Sequence, residues 1–417
     1  MNVDYSRTKW ACYLGFVTQA ITANFAPLLF VMFHRQYGIP LSSLALIPAV
    51  FYVVQLCVDF LCAKFSSIDY RRSIILSEVT SAAGLLGLTV LPDCFSNPLV
   101  GILLCVTLYA VGSGLIEVLC SPIIEACPFP GKESMMSLLH SFYCWGAVGV
   151  ILGSTLFFRL FGVEHWRWLV VIWSVVPLLN IYNFSTCPIE PIVPDGESKS
   201  MAGVLRERIF WLFFLLMIAA GASESSMAQW TSAFAEASLH VDKATGDIFG
   251  PCAFAFCMGL GRLWYGKRGE KVDLAKYMMW SGLICLVGYL TAALSPLPHL
   301  ALAGCMLSGL SVGIMWPGTI SLSVGRVQGG GTALFALLAL AGDVGGTLGP
   351  SFVGIFTGNQ DSNIGNGILS ASLFPLLLFL ALLGLLAANR TRSPHIAHSS
   401  SPDDACAVTL NHTLPPR

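Results

Sequence analysis

The stretch GAVGVILGS, residues 146–154, returns in the second half of the chain as GDVGGTLGP, residues 342–350. Five of the nine positions are identical, and the shared residues are Gly, Val and Leu. A second pair, GLIEVLCSP at 114–122 and GLSVGIMWP at 309–317, shares its first Gly, its Leu and its Pro. The distance along the chain from the first member of a pair to the second differs by only one residue between the two pairs. Together they predict a chain built from two similar halves.

The composition is that of an integral membrane protein. Of 417 residues, 55% are hydrophobic and only 11% are charged, whereas soluble domains carry about 25% charged residues. Twelve apolar runs are each long enough to cross the ~30 Å hydrocarbon core as a helix. They lie at residues 10–33, 42–64, 72–92, 97–122, 134–161, 166–184, 207–235, 244–266, 273–294, 297–322, 331–356 and 366–388. We therefore predict an all-α membrane protein whose twelve helices form two pseudo-symmetric six-helix bundles.

Polar segments set the predicted domain boundaries. Residues 1–186 form the first bundle, and the Pro-rich segment 187–205 is a central cytoplasmic loop. Residues 206–388 form the second bundle, and the Ser-, Pro- and His-containing tail 389–417 is predicted to be disordered. Two repeated bundles are typical of transporters that rock one half against the other around a central site.

The distribution of basic residues predicts the orientation. With the N-terminus inside, the outer segments hold only Arg35, Arg159, Arg167 and Lys243 of the 22 Lys and Arg residues. Basic residues favour the cytoplasmic side. We expect a multi-pass protein of a cell membrane, bacterial inner membrane or plasma membrane, with both termini in the cytoplasm.

Several classes of function are disfavoured. The net charge of −1 gives no indication of a nucleic-acid partner. The 14 cysteines include no CxxC pair, which makes a metal site or a disulfide framework improbable. No HExxH, GxSxG or Walker motif occurs on the spans, so neither an intramembrane enzyme nor an ATP-driven pump is indicated. We expect a monomer with no cofactor.

Polar residues inside the predicted helices are the candidate site. An intramembrane carboxylate is costly and generally functional, so Glu117 is interpreted as a protonatable group lining a central cavity, with a structural hydrogen-bonded acid as the alternative. Asp343 replaces Ala147 of the other half and is a second proton-coupling candidate, or a structural partner. Gln229 and Trp230, with Glu224, resemble the amide and aromatic groups of sugar sites, although Trp230 is equally suited to an interfacial anchor.

Three more features have two interpretations each. Trp316 is positioned either to cover a substrate or to pack between helices. His140 is either a group that titrates near neutral pH or a packing residue. The glycine stripe of helix 11 consists of Gly342, Gly345, Gly346 and Gly349. It permits close helix packing, and it also permits sliding at that contact.

The loops resemble those of the major facilitator superfamily, whose inner-loop signature is Gly-x-x-x-Asp-Arg-x-Gly-Arg-Arg. The segment DFLCAKFSSIDYRRS (59–73) is a degenerate form of this signature without the glycines. The segment GLGRLWYGKRGEK (259–271) is the corresponding segment in the second half. In this family these charges latch the two halves together. The resemblance implies a gating role at the cytoplasmic edge for Asp69, Arg71, Arg72 and Arg262; topogenic positive charge is the alternative.

Within the superfamily, LIEVLCSP followed by LLHSFYCWGAVG resembles the sugar/proton symporter branch that includes L-fucose permease. The resemblance implies that Glu117 contributes to sugar binding and proton handling. The aspartate that this branch has in helix 1 is missing; Gln19 and Asn24 are the polar residues there, and Tyr143 replaces a helix 5 asparagine. The candidate substrate-binding residues are Glu117, Gln19, Asn24, Tyr143, Glu224, Gln229, Trp230 and Trp316, and the candidate proton-coupling residues are Glu117 and Asp343.

The function predicted from the sequence is secondary transport of a small polar solute, a sugar or related compound, by proton-coupled alternating access. The expected partners are this small molecule, protons and the lipid bilayer. Efflux of amphipathic compounds, suggested by the aromatic and Met content, is one alternative. A non-transporting membrane sensor on the same fold is another.

Overall fold

The structure, a computed structural model, describes residues 4–39, 41–44, 46–65, 68–190, 199–235, 239, 241, 245–246, 248–357 and 364–392. Every regular element in these ranges is helical. Part of the predicted central loop (191–198) and most of the predicted disordered tail (393–417) lie outside the described residues, so these two domain predictions stay predictions.

Twelve main helices follow one another along the chain. They are α1 (Ser6–Leu28), α2 (Leu46–Lys64), α3 (Tyr70–Gly87), α4 (Pro98–Ala126), α5 (Lys132–Phe161), α6 (Trp166–Thr186), α7 (Arg208–Ala233), α8 (Ala253–Arg268), α9 (Leu274–Leu294), α10 (Pro298–Val312), α11 (Gly331–Thr357) and α12 (Leu373–Arg392). After a break, α10 continues as Met315–Val324, and Ile364–Ala371 precedes α12. Phe30–Tyr37, Leu41–Leu44, Leu91–Cys94 and Met201–Leu205 are short connecting helices.

Nine helices in the described part of the chain are long and apolar enough to cross a membrane. The other three, α1, α3 and α8, complete the set of twelve. Helix α8 is only 16 residues long, α1 carries Gln19 and Asn24, and α3 carries Arg71, Arg72 and Glu78. Gln19 and Asn24 line cavities between the halves, Arg71 and Arg72 lie in the first turn of α3, and Glu78 is buried between α1, α3 and α6. The last helix ends at Arg392, beyond the expected residue 388.

The two halves repeat the same packing. In the first half, α1 packs on α5, α2 on α4, and α3 on both α4 and α6. In the second half, α7 packs on α11, α8 on α10, and α9 on both α10 and α12. Every pair recurs six helices later, so the predicted architecture of two pseudo-symmetric six-helix bundles is confirmed.

The glycine stripe of α11 serves close packing against α7. A Cβ atom on Gly345 would lie 2.1 Å from the carbonyl oxygen of Ile218, and one on Gly349 would lie 2.5 Å from that of Ala222. Backbones this close leave no room for a side chain. The matching α1–α5 contact is also tight, because a Cβ on Gly146 would lie 2.8 Å from the Cβ of Ala20.

The halves meet mainly through α2 with α11 and through α5 with α8. We call the face at which α1 begins and α12 ends the terminal face. There the hydroxyl of Tyr70 hydrogen-bonds that of Thr332 across the halves, and the Tyr265 hydroxyl donates to a carboxylate oxygen of Glu133 over 3.1 Å. The structure is therefore closed between the halves at its terminal face.

Candidate functional site

A cavity of about 120 Å³ lies between the two halves. Side chains of α1, α2, α4 and α5 line it from the first half, and side chains of α7, α8, α11 and the second part of α10 line it from the other. The lining residues are Phe16, Gln19, Ala23, Phe51, Tyr52, Gln55, Ser113, Glu117, His140, Tyr143, Glu224, Ser225, Arg262, Trp316 and Asp343. Both halves thus contribute acids to the lining, and the second half contributes the arginine Arg262.

Glu117 is the centre of a hydrogen-bonded group in the first half. Gln19 donates its side-chain amide to Oε2 of Glu117 over 2.8 Å, and the Gln55 amide donates to the same oxygen. Each glutamine is nearly fully buried, and its carbonyl oxygen Oε1 has no hydrogen-bond partner. The group therefore fixes one carboxylate and presents two acceptor oxygens without a donor.

Arg262 and Glu224 form an ion pair in the opposite wall. Nη2 of Arg262 lies 3.1 Å from Oε2 of Glu224, and the arginine side chain is only 3% exposed. Nη1 donates to the main-chain carbonyl of His140 on α5 over 3.1 Å, so the guanidinium also bonds the first half. Arg262 was predicted to lie at the cytoplasmic edge as a latch; the structure instead places its side chain in the cavity wall.

The break in α10 explains how Arg262 is held there. Pro317 has no N–H, so the carbonyl of Gly313, four residues earlier, loses its helical partner. Nε of Arg262 donates to this carbonyl over 2.9 Å. A Cβ on Gly313 would lie 2.7 Å from the carbonyl oxygen of Met258, so only glycine allows α8 to approach this closely.

Trp316 and Asp343 complete the cavity from the second half. The indole ring of Trp316 packs directly on Gly342, where an added Cβ would lie 2.0 Å from the ring. Asp343 follows in sequence, lines the cavity, and has a buried Oδ2 atom with no hydrogen-bond partner. The acid that breaks the repeat symmetry therefore lies in the central site.

A second cavity of about 250 Å³ adjoins the first through the shared residues Ala23, Phe51 and Tyr52. It is lined by Asn24 and Gln229, together with residues near the ends of α1 and α2 that are remote from the terminal face. The two cavities therefore extend from the centre of the molecule toward the face opposite the terminal face.

The predicted site residues divide into three sets. Gln19, Glu117, Tyr143, Glu224, Trp316 and Asp343 line the central cavity, and Asn24 and Gln229 line the adjoining one. Trp230 lines neither. Its indole N–H donates to the carbonyl of Pro350 over 3.0 Å, so the residue packs between α7 and α11. Adjacent residues of a helix point in different directions, so Gln229 lines a cavity while Trp230 packs against α11, and a substrate-binding role of Trp230 stays a prediction.

The predicted latch residues of the first-half loop bond within their own half. The Asp69 side chain accepts from the backbone N–H of Arg72 as the N-cap of α3, and it pairs with the Arg72 side chain at 3.2 Å. Arg71 donates to the carbonyls of Phe184, Ser185 and Cys187 and so caps the end of α6. These contacts support local structure, and their gating role remains a prediction.

The same cap occurs in the second half. Asp273 accepts from the backbone N–H of Lys276 over 3.0 Å and pairs with its ammonium group at 3.3 Å. This N–H and the nearby charge hold the pKa of the Asp273 carboxyl below its ordinary value. In both halves a loop aspartate thus caps the N-terminus of the third helix of its bundle.

Sequence reasoning missed three buried polar residues, Gln55, Asp59 and Glu78, and the more exposed Tyr52. Gln55 and Tyr52 line the cavity from α2, and Asp59 lies one turn further along the same helix, fully buried. Glu78 of α3 is also fully buried and accepts hydrogen bonds from Thr18 and Asn180, so it joins α1, α3 and α6. Asp59 and Glu78 could have been found from the sequence, because a carboxylate inside an apolar run usually has a function.

Comparison with known proteins identifies the fold. The family model of the Major Facilitator Superfamily matches residues 11–350, and no curated protein sequence matches the chain. The E. coli fucose:proton symporter FucP is 16% identical, with a TM-score of 0.74 over 91% of this chain and 98% of its own. The proton:xylose symporter XylE is 12% identical (TM-score 0.71, 91% and 95% covered), and the human organic anion transporter TETRAN is 16% identical (TM-score 0.69, 91% and 100% covered). The resemblance predicted from the sequence is confirmed.

Proposed function

Because the chain belongs to the major facilitator superfamily and is a multi-pass secondary transporter, we propose that its cargo is a small polar solute, a sugar or related compound. We further propose that the cargo crosses together with protons by alternating access. Two similar structures are those of the fucose:proton symporter FucP and the proton:xylose symporter XylE, which supports this proposal.

One observation supports the cargo class above the others. The cavity presents acceptor oxygens that lack donors: Oε1 of Gln19, Oε1 of Gln55, Oγ of Ser113 and Oδ2 of Asp343. Buried polar atoms without partners are unfavourable, and hydroxyl groups are both donors and acceptors. A polyhydroxylated solute would satisfy these atoms, and the Tyr52 and Tyr143 rings supply apolar surface beside them.

Gating and proton coupling follow from the same cavity. Glu117 and Asp343 are the proposed proton carriers, one from each half. For the terminal face to open, the bond from Arg262 to the His140 carbonyl and the Tyr265–Glu133 bond must break. We retain Asp69, Arg71, Arg72 and Arg262 as gating residues, with Arg262 acting from the cavity wall.

The surroundings of the protein complete the proposal. The protein lies in a cell membrane with both of its termini in the cytoplasm. The closed terminal face is then the cytoplasmic face. The protein acts as a monomer in the bilayer. Labelling of Lys9 and Lys276 by an impermeant amine reagent in intact cells would contradict this orientation.

The test is uptake by proteoliposomes of a panel of sugars under an imposed proton gradient, in wild type and Glu117→Gln. We expect at least one sugar to accumulate against its concentration and Glu117→Gln to lose the response to the gradient. A wild type that accumulates no sugar contradicts the cargo class. A variant that responds like wild type contradicts the role of Glu117.

The same panel tests the efflux alternative. An organic anion is included because one structural neighbour is named as an organic anion transporter. In this chain the cavity arginine is already paired with Glu224. Transport of the anion, without transport of any sugar, would favour the alternative and would require the cargo to displace that carboxylate.

A further inference from the structure

Asp59 lies in α2 at 0% exposure, and neither oxygen of its carboxyl group has a hydrogen-bond partner. It follows Gln55 by one helical turn, on the side of the terminal face, and does not belong to the cavity lining. No loop or cap contact explains it, since it sits well inside the helix.

The helices around Asp59 present acids to it. Helix α2 packs against α4 of its own half and against α11 of the other half, and it also touches α1. Glu117 on α4 and Asp343 on α11 are acids of these two helices, and both line the same cavity as Gln55, one turn before Asp59. Cys62 is the titratable neighbour on the helix of Asp59 itself. Helix α1 contributes the neutral Gln19. The nearest base of the cavity, Arg262, is already bound to Glu224.

An ionised carboxylate is strongly unfavourable in such a place. It has left water without gaining a donor or a countercharge, and two further acids repel it. We therefore expect the Asp59 carboxyl group to hold a cation in this conformation. A metal ion requires several converging ligands, and the described residues contain no cluster of three or more His, Cys, Asp or Glu side chains able to hold one. A proton satisfies the carboxyl group without further ligands.

We propose that Asp59 is a proton-binding site at the junction of the two halves and that it acts together with Asp343 across the α2–α11 contact. This inference rests on the proposed proton-coupled transport and deepens it. With the proton bound, α2 and α11 lie against each other and the terminal face stays closed. When the proton leaves, two carboxylates on opposite halves repel each other and the α2–α11 contact opens. The release of the proton is thereby linked to the change of access.

The first test needs no cargo. Infrared difference spectra are recorded on the purified full chain in lipid nanodiscs, between a mildly acidic buffer in which exposed carboxyl groups stay ionised and an alkaline buffer. A protonated carboxyl gives a carbonyl band separate from the amide bands. We expect Asp59→Asn to lose one such band, Asp59→Glu to retain a shifted one, and the matched control Asp93→Asn to resemble wild type. Asp93 is a solvent-accessible acid that pairs with Arg167. A complete set of bands in Asp59→Asn overturns the proposal.

The second test follows the halves themselves. Hydrogen–deuterium exchange, corrected for the intrinsic effect of pH, is compared in peptides covering the ends of α2 and α11 at the terminal face. We expect exchange to rise with pH in wild type and Asp59→Glu, and to stay low in Asp59→Asn. An unchanged pH response in Asp59→Asn overturns the proposal. Parallel samples in sodium or choline chloride at one pH identify the ion, and opening that depends on sodium contradicts a proton.

Failure of this inference is distinguishable from failure of the cargo proposal. If no sugar is transported but the Asp59 band and the pH response are present, the cargo proposal fails and the proton site stands. If sugar uptake by Asp59→Asn responds to the gradient as in wild type, the proton site fails and the cargo proposal stands. A thermal unfolding midpoint close to that of wild type, together with binding of the labelled sugar from the open side, confirms that the Asp59→Asn protein is folded.

Discussion

The guanidinium of Arg262 on α8 lies 3.1 Å from the carboxylate of Glu224 on α7, and the arginine also bonds the main chain of α5 and α10. One side chain therefore contacts two other helices of its own half and one of the opposite half. It thereby ties the two halves together within the cavity wall.

Arg262→Ala is expected to lower the free energy of unfolding by about 3–5 kcal/mol, because it leaves Glu224 as a half-buried charge without its partner. The Gly313 carbonyl loses its donor as well. Thermal unfolding of the detergent-solubilised protein measures the loss. The double variant Arg262→Met with Glu224→Gln removes both charges and should recover most of the stability. Equal damage in the single and double variants would show that the pairing is not the cause.

Gln19→Leu and Gln55→Leu are each expected to raise the Kd for the transported sugar about fivefold, since each removes roughly 1 kcal/mol of hydrogen bonding at the Glu117 group. Competition against uptake of the labelled sugar measures this. Trp230→Phe is the matched control, because Trp230 lies on α7 outside both cavities. An effect of Trp230→Phe as large as that of Gln55→Leu would contradict the assignment of the site.

Gly342→Ala is expected to destabilise the protein by about 1–3 kcal/mol and to displace the Trp316 ring, because the added methyl group overlaps that ring. Gly149→Ala is the matched control in α5, where nothing lies within 4 Å of an added Cβ. Unfolding temperature and tryptophan fluorescence are compared in both variants. Similar behaviour of the two would mean that Trp316 does not depend on the glycine.

Tyr265→Phe is expected to shift the protein toward opening at the terminal face about fivefold, because it removes a bond between the halves worth roughly 1 kcal/mol. Deuterium exchange at the start of α5 and the end of α8 reports the shift. Tyr182→Phe on α6, whose ring is 64% exposed, is the control. Opening in the control alone, or in neither variant, contradicts the closing role of the Tyr265–Glu133 contact.

The sequence contains enough information for the architecture and for half of the site. The repeat of GAVGVILGS identifies the two bundles, because glycine spacing that permits close packing recurs with the helices that need it. Glu117 is identifiable because an acid inside hydrocarbon requires a reason. Helix periodicity shows which residues share a face, but it does not show which face points to the centre of the protein. The sequence therefore could not distinguish Gln229, which lines a cavity, from its neighbour Trp230, which does not.

The remaining errors concern contacts between distant segments. Arg262 was placed at the edge because basic residues favour the cytoplasmic side. Its buried position depends on a carbonyl that Pro317, on another helix, leaves free. Asp59 was overlooked because it opens the segment that resembles the family's loop signature, although the structure places it inside α2. Neither relationship is visible from residue spacing along one helix.

The proline shared by α4 and α10 makes the two halves mechanically unequal. Helix α4 continues through Pro122 as one rod, while α10 is interrupted between Val312 and Met315 before Pro317. The second half therefore contains a break within a helix that lines the central cavity, directly beside Trp316. Trp316 belongs to the short segment Met315–Val324 and not to the main rod of α10. We expect any displacement of this ring to involve the short segment first, because the break separates it from the rest of the helix.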